Sequence, residues 1–193
     1  MNSTDKILWT DTETTGLIPG THGICSVAVI LDIGGEVVDR FEMEMKPTGC
    51  VVDNRALAVN GFTRGRIQKL EPWENILPDF IHRINKAMIK HLPEQKFTLG
   101  GQNVSFDDNH IMAWSKFCNA PEYWKILTDG EIDTMKISKQ FKELGSHKLG
   151  DLCKAFGVKL ENAHTAMADI DATRSLYYAM MKRIEMEKQG KLL

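Results

Sequence analysis

Hydrophobic and polar positions change rhythm along this chain. Residues 6–13, 24–31 and 35–45 carry recurrent apolar positions, Ile, Val and Leu in the first two and Val, Phe and Met in the third, separated by Gly- and Pro-containing turns at GLIPGTHG and DIGGE. That pattern predicts three consecutive strands in an antiparallel meander. After Pro47 the period lengthens. NRALAVNGF reads as a short helix or turn, and the stretch WENILPDFIHRINKAMIKHL after Pro72 repeats Ile76, Phe80, Ile84 and Met88 every four residues. This predicts a longer helix with Pro78 near its first turn, where proline is tolerated. Further on, KFTLGG reads as a short strand, FDDNHIMAWSKF as a helix starting near Ser105, KLGDLCKAFG as a helix stopped by Gly157, and TAMADIDATRSLYYAMMKRIEMEK as a long helix. Strands first, then helices around a returning strand, predict an α/β layered domain with a mixed sheet. The 193 residues suit a single domain, 1–193, better than two.

Composition narrows the function classes. The formal charge of −2, from 24 basic and 26 acidic residues, excludes a protein that holds nucleic acid by bulk positive charge. A polyanionic substrate then needs a local attraction such as bound metal. Cys25, Cys50, Cys118 and Cys153 lie far apart with no C-x-x-C pair, which suggests free thiols in a reducing cytosol rather than a zinc knuckle or a disulfide scaffold. The start MNSTDK has no apolar run behind a basic residue, and no stretch reaches the ~18 uninterrupted apolar residues of a membrane helix. The expectation is a soluble, cytoplasmic protein.

Three acidic places carry the candidate chemistry. On the first strand, Asp11 and Glu13 point to one face, with Cα atoms roughly 6.6 Å apart for two steps of about 3.3 Å. In isolation this D-x-E reads more simply as a strand end meeting solvent, with Thr14, Thr15 and Gly16 in an ordinary turn. In GGQNVSFDDNHI, a strand ends at two glycines and a helix follows, with Ser105 and Asp108 spaced as a capping box. Asp107 and Asp108 read either as favourable charge at a helix N-terminus or as one ligand and one cap. Asn103 reads as a turn residue, or as an amide that holds the loop or a ligand. On the last helix, Asp169 shares a stripe with Thr173, Leu176, Met180 and Ile184, so it faces the core. Asp171 is rotated about 200° away and reads as a solvated charge. His164 falls in the loop before that helix, where a lone His reads more simply as a surface or capping residue, or else swings toward the same site. Several buried carboxylates repel one another unless cations neutralise them. An all-oxygen set without cysteine favours Mg²⁺ or Mn²⁺ over zinc. Two such ions clamping a phosphodiester, with a histidine taking the proton of the attacking water, amount to metal-assisted phosphodiester hydrolysis.

DTETTG, NVSFD and HTAMAD, in that order, closely resemble the three motifs of the DnaQ-like, or DEDDh, 3′→5′ exonuclease family. Between them, ALAVNGFT resembles the family's segment between the first two motifs, IDTMKIS its Asp-Thr strand, and HKLGDLCKAFGV the helix before the third. The resemblance runs from about residue 6 to 180. It implies a ribonuclease-H-like fold with a five-stranded mixed sheet flanked by helices. It also implies two Mg²⁺ or Mn²⁺ ions, with Asp11 bridging both, Glu13 and Asp169 holding the first, Asp107 supporting the second partly through water, and His164 as general base. Asp107 rather than Asp108 matches, because the family's Asp directly follows a Phe, here Phe106. The turn from Thr14 through Thr15 and Gly16 to Leu17 is implied to meet the 3′-terminal nucleotide. Leu17 and Phe62 are the candidates to wedge against bases, although Phe62 reads equally as core, and Trp9 is expected beneath the site. The sequence departs from the family at ICSVAV and at Asn60, where a histidine is frequent.

The implied substrate is nucleic acid with a free 3′ end, single-stranded DNA first, releasing nucleoside 5′-monophosphates. An exoribonuclease is the alternative. A non-catalytic binding module would predict loss of at least one of the five polar residues, and all five are present. The expected partners are a second copy in a homodimer, or a polymerase or other replication or repair protein on which a proofreading subunit docks. The end KRIEMEKQGKLL reads as a solvated terminus or as a docking tail.

Overall fold

The computed structural model describes residues 5–91 and 95–190, without the side chains of Glu122 and Trp124. The MNST start, the predicted helix end at Leu92 and the terminal KLL lie outside the described residues. The expected meander is present: β1 (Lys6–Thr14), β2 (Ile24–Ile33) and β3 (Glu36–Glu44) pair antiparallel. Then β4 (Phe97–Gly101) and β5 (Leu127–Asp133) add in parallel on the other side of β1, giving the order β3-β2-β1-β4-β5. The helices are α1 (Asn54–Asn60), α2 (Arg64–Ile67), α3 (Trp73–His91), α4 (Val104–Phe117), α5 (Glu122–Lys125), α6 (Thr134–Ser138), α7 (Leu149–Phe156) and α8 (Ala166–Lys188).

Strand alternation sorts the sheet into two buried faces. Leu8, Val29 and Leu31 pack with Trp73, Leu77 and Phe80 of α3 and with Trp114 of α4. Ile7, Trp9, Ala28 and Ile30 pack with Ala166, Ile170 and Tyr177 of α8. Covered on both sides, β2 is buried along nearly its whole length, which is why its sequence is a continuous apolar run without alternation. The Asp169 stripe points inward as its period predicts: Thr173, Leu176 and Met180 are buried, and Ile184 packs beside them.

Four local expectations are corrected. First, α4 begins at Val104. Its N-cap is Asn103, held left-handed at φ 58° with no side-chain cap bond, so the Ser105–Asp108 box does not form. Asp108 instead accepts the Tyr123 hydroxyl at 3.3 Å. Second, Pro78 is the sixth residue of α3 and so lies in its second turn, where its missing N–H removes the bond to the Glu74 carbonyl. Third, only the start of IDTMKIS is strand: β5 ends at Asp133, whose carboxylate accepts from the Met135 and Lys136 N–H groups and starts α6. Most of β5, LTDGEID, is exposed, so a polar edge strand left no apolar rhythm to read. Fourth, Asp171 is not simply solvated, since Arg40 on β3 pairs with it at 2.6 Å.

Candidate active site

The carboxyl end of β1 carries the acids. Asp11 and Glu13 follow Trp9 on the α8 face, and Trp9 is fully buried against Tyr177 with ring centroids 5.2 Å apart. Asp169 comes from the first turn of α8. One carboxylate oxygen from each of Asp11, Glu13 and Asp169 lies within 4.8 Å of the others. Asp169 Oδ1 is buried without a hydrogen-bond partner, while Oδ2 accepts the His164 N–H at 3.2 Å.

Asp107 does not join that trio. It approaches from α4 on the opposite face, and its Oδ1 accepts the Thr12 N–H at 2.8 Å and the Thr12 hydroxyl at 2.7 Å. Its charge nevertheless acts on Asp11 and Glu13. His164 sits in an exposed loop in left-handed conformation, φ 70°, with only its backbone bound to Asp169.

Burial and mutual repulsion favour the protonated forms of these acids. Burial and then the neighbouring acids Asp107, Asp169, Glu13 and Glu42 push Asp11 well above the usual carboxylate range. Glu13 is raised to about 8, by burial first and then by Asp169 and Asp107. Burial lifts Asp107 to about 7 even though Thr12 hydrogen-bonds it. Burial also raises Asp169, with the His164 N–H opposing. Such a cluster is a site for positive charge.

The turn after β1 is rigidly tied. Thr15 is fully buried; its hydroxyl donates to the Val51 carbonyl at 2.7 Å and accepts the Gly23 N–H at 2.9 Å. The Thr14 hydroxyl donates to the Gly16 carbonyl at 2.8 Å. A Cβ on Gly16 would lie 2.3 Å from the His22 ring, and His22 Nδ1 accepts the Ile18 N–H at 3.1 Å. This tight loop presents Leu17, 77% exposed, and Ile18, 58% exposed.

Phe62 is a correction. It is 6% exposed, packs with Cys25, Leu57 and Ile67, and has the Arg66 guanidinium 4.2 Å above its ring, so it offers no free face for a base. Asn103 is exposed, and its N–H donates to Asp133 at 3.0 Å.

Sequence reading missed two contributors. Glu42 stands in register with Ala28 and so with Asp11, held by the Ser26 hydroxyl at 2.6 Å; only the strand register could have found it. Asn60 was visible as a family departure, but its contact with the end of β1 was not.

A family model described as an exonuclease, RNase_T, matches residues 8–177. The chain belongs to this exonuclease family. Membership supports a hydrolase of the nuclease type. Among curated relatives, the PolC-type DNA polymerase III of Oceanobacillus iheyensis is 27% identical over 196 residues, 97% of this chain and 12% of that protein. That of Bacillus subtilis is 27% identical over 174 residues, 89% of this chain and 11% of that protein. The chain thus spans about an eighth of the length of these relatives. Exonuclease I of E. coli, in a zinc-bound complex with single-stranded DNA, superposes with TM-score 0.75 at 23% identity, covering 93% of this chain and 41% of that one. The nuclease domain of 3′hExo bound to rAMP gives TM-score 0.74 at 16% identity over 94% of both chains. Both share the ribonuclease-H-like α/β fold predicted for the exonuclease family. Among the described residues no helix is long and apolar enough to cross a membrane.

Proposed function

We propose that this chain is a metal-dependent 3′→5′ exonuclease that removes nucleoside 5′-monophosphates from single-stranded DNA. The observation that carries the reading is the trio Asp11, Glu13 and Asp169, with carboxylate oxygens within 4.8 Å and Asp169 Oδ1 buried and unpartnered. An all-oxygen, mutually repelling set suits Mg²⁺ or Mn²⁺. Asp11, Glu13 and Asp169 would hold the metal, with Asp107 contributing from α4. Bound there, such ions would supply Lewis-acid charge for phosphodiester hydrolysis. The His164 imidazole, on a loop anchored to Asp169 through its own N–H, takes the proton of the attacking water. The Thr14–Leu17 turn receives the 3′-terminal nucleotide: Thr15 and Gly16 fix its backbone and Leu17 presents the apolar contact. Similarity to PolC-type polymerases supports proofreading beside a polymerase as the setting.

A second reading, an exoribonuclease, is favoured by one observation: the match to the rAMP-bound 3′hExo domain extends over 94% of both chains. Discrimination rests on how the pocket treats a 2′-hydroxyl. The test incubates the protein with Mg²⁺ and 5′-end-labelled single-stranded DNA, duplex DNA and RNA. Stepwise shortening from the 3′ end, fastest on single-stranded DNA, is expected. Faster RNA shortening selects the second reading, and internal cuts or intact strands defeat both.

A further inference from the structure

Glu13 sits on an irregularity of the sheet. Along β1 the register with β2 runs without a break to Glu13 opposite Ser26, and then jumps so that Thr14 lies opposite Ile24. Cys25 is the extra residue of a β-bulge. Bulges bend a strand, re-aim the neighbouring side chain and leave ladder groups without their regular partners.

The bulge is held from one side by a single amide. Asn60, the last residue of α1, is 9% exposed. Its Nδ2 donates to the Thr14 carbonyl at 3.0 Å, and its Oδ1 accepts the Phe62 N–H at 3.1 Å. Its backbone is fixed in turn. Gly61 closes α1 in left-handed conformation, φ 71°, with its N–H on the Leu57 carbonyl at 3.0 Å. Leu57 and Phe62, on either side of Asn60, pack against Cys25 itself. The bulged residue and the segment carrying the amide are therefore one small core.

We infer that Asn60 is a positioning residue: it locks the Glu13–Thr14 bulge and so sets where the Glu13 carboxylate stands relative to Asp11 and Asp169. The inference rests on the proposed metal-dependent activity and adds a determinant of that site outside the acids and histidine. A purely structural cap would stabilise the fold without tuning the cluster. A positioning residue acts on metal affinity and turnover beyond its effect on stability.

The test compares wild type with Asn60→Ala and with Asn60→His, which keeps a side-chain N–H donor. Thermal melts are recorded across a Mn²⁺ titration, and kcat and KM are measured on a short single-stranded oligonucleotide well below the melting range. For Asn60→Ala, the Mn²⁺ concentration giving half the melt shift rises about 10-fold or more, the scale of losing an outer-shell partner of a metal ligand. Its kcat falls by a similar factor while KM changes less than about 3-fold, and Asn60→His recovers most of both losses. Should Asn60→Ala not fold, Asn60→Ser is read by the same two criteria. A variant with a lower metal-free melting point but wild-type Mn²⁺ response and kcat overturns the inference alone. Wild-type protein that neither responds to Mn²⁺ nor hydrolyses the oligonucleotide overturns the proposed function and the inference with it.

Discussion

Two acidic centres sit at opposite ends of the same sheet and are built in opposite ways. At one end, Asp32 of β2 is fully buried with its oxygens satisfied: Arg174 Nε at 2.6 Å, the Tyr178 hydroxyl at 2.7 Å and the Gly35 N–H at 2.8 Å. Arg174 and Tyr178 belong to α8, so this pairing fastens the long helix to the sheet. At the other end, α8 meets the sheet through Asp169, and there acid faces acid: Asp11, Glu13 and Asp169 bring carboxylate oxygens within 4.8 Å of one another. One helix is clamped through Arg174 and Tyr178 near its middle to a fully partnered acid, and its first turn adds Asp169 to a group of acids. Within one fold, a buried acid with a full set of partners is architecture, and a group of acids without them is a site for positive charge.

That contrast can be broken by substitution. Asp11→Asn should reduce hydrolysis by more than the roughly 10–100-fold that an outer-shell loss costs, while the metal-free melting point stays level or rises because repulsion is relieved. A turnover assay paired with a melt checks both, and unchanged turnover would remove Asp11 from the chemistry. His164→Ala should slow turnover by about 10²–10⁴-fold, the usual scale of a general base, with Mn²⁺-induced stabilisation retained. Asp32→Ala should do the reverse of Asp11→Asn. Removing the fully buried Asp32 and stranding the half-buried Arg174 costs about 3 kcal/mol of stability, the low end for a buried pair, read by denaturant unfolding, with activity per folded molecule preserved.

pH sharpens the same comparison. Glu13 and Asp107 titrate near 8 and 7 in the fold but near 4 in an unfolded chain, as for roughly any free carboxylate. Between those values the folded state holds protons that the unfolded chain has released, so stability falls as pH rises from about 4 to about 8. Metal-free protein should melt several degrees lower at about pH 8.5 than at about pH 5.5, and saturating Mn²⁺ should flatten or invert that slope. A flat metal-free profile would contradict the uncompensated cluster. The smallest effect expected is at Leu17→Ala, where losing apolar contact worth roughly 1 kcal/mol raises KM about 5-fold with kcat little changed.

Periodicity made much of this legible. Period two placed Asp11 and Glu13 together above Trp9, and period 3.6 turned Asp169 inward; both are local geometry that tertiary packing did not override. The family motifs then supplied the ordering of the acids. What sequence alone did not give depends on contacts between distant segments. Thr12 claims one oxygen of Asp107, across 95 positions. Phe62 turns into the small core around Cys25 because Leu57 and Ile67 flank it there. Glu42 enters the site's field only through strand register, and Asn60 only through a bulge. The helix boundary at Asn103 was displaced because a left-handed N-cap carries no capping-box signature. The edge strand β5 was hidden by its polar surface.

The central claim is that the cluster at the end of β1 exists to hold divalent cations. Isothermal titration of Mn²⁺ into the metal-free protein near pH 7.5, repeated in two buffers of different ionisation enthalpy, tests it directly. Two equivalents should bind with net proton release, because the acids must give up the protons their mutual repulsion holds, and Asp11→Asn should abolish both. No heat of binding, or binding that Asp11→Asn leaves untouched, would contradict the claim.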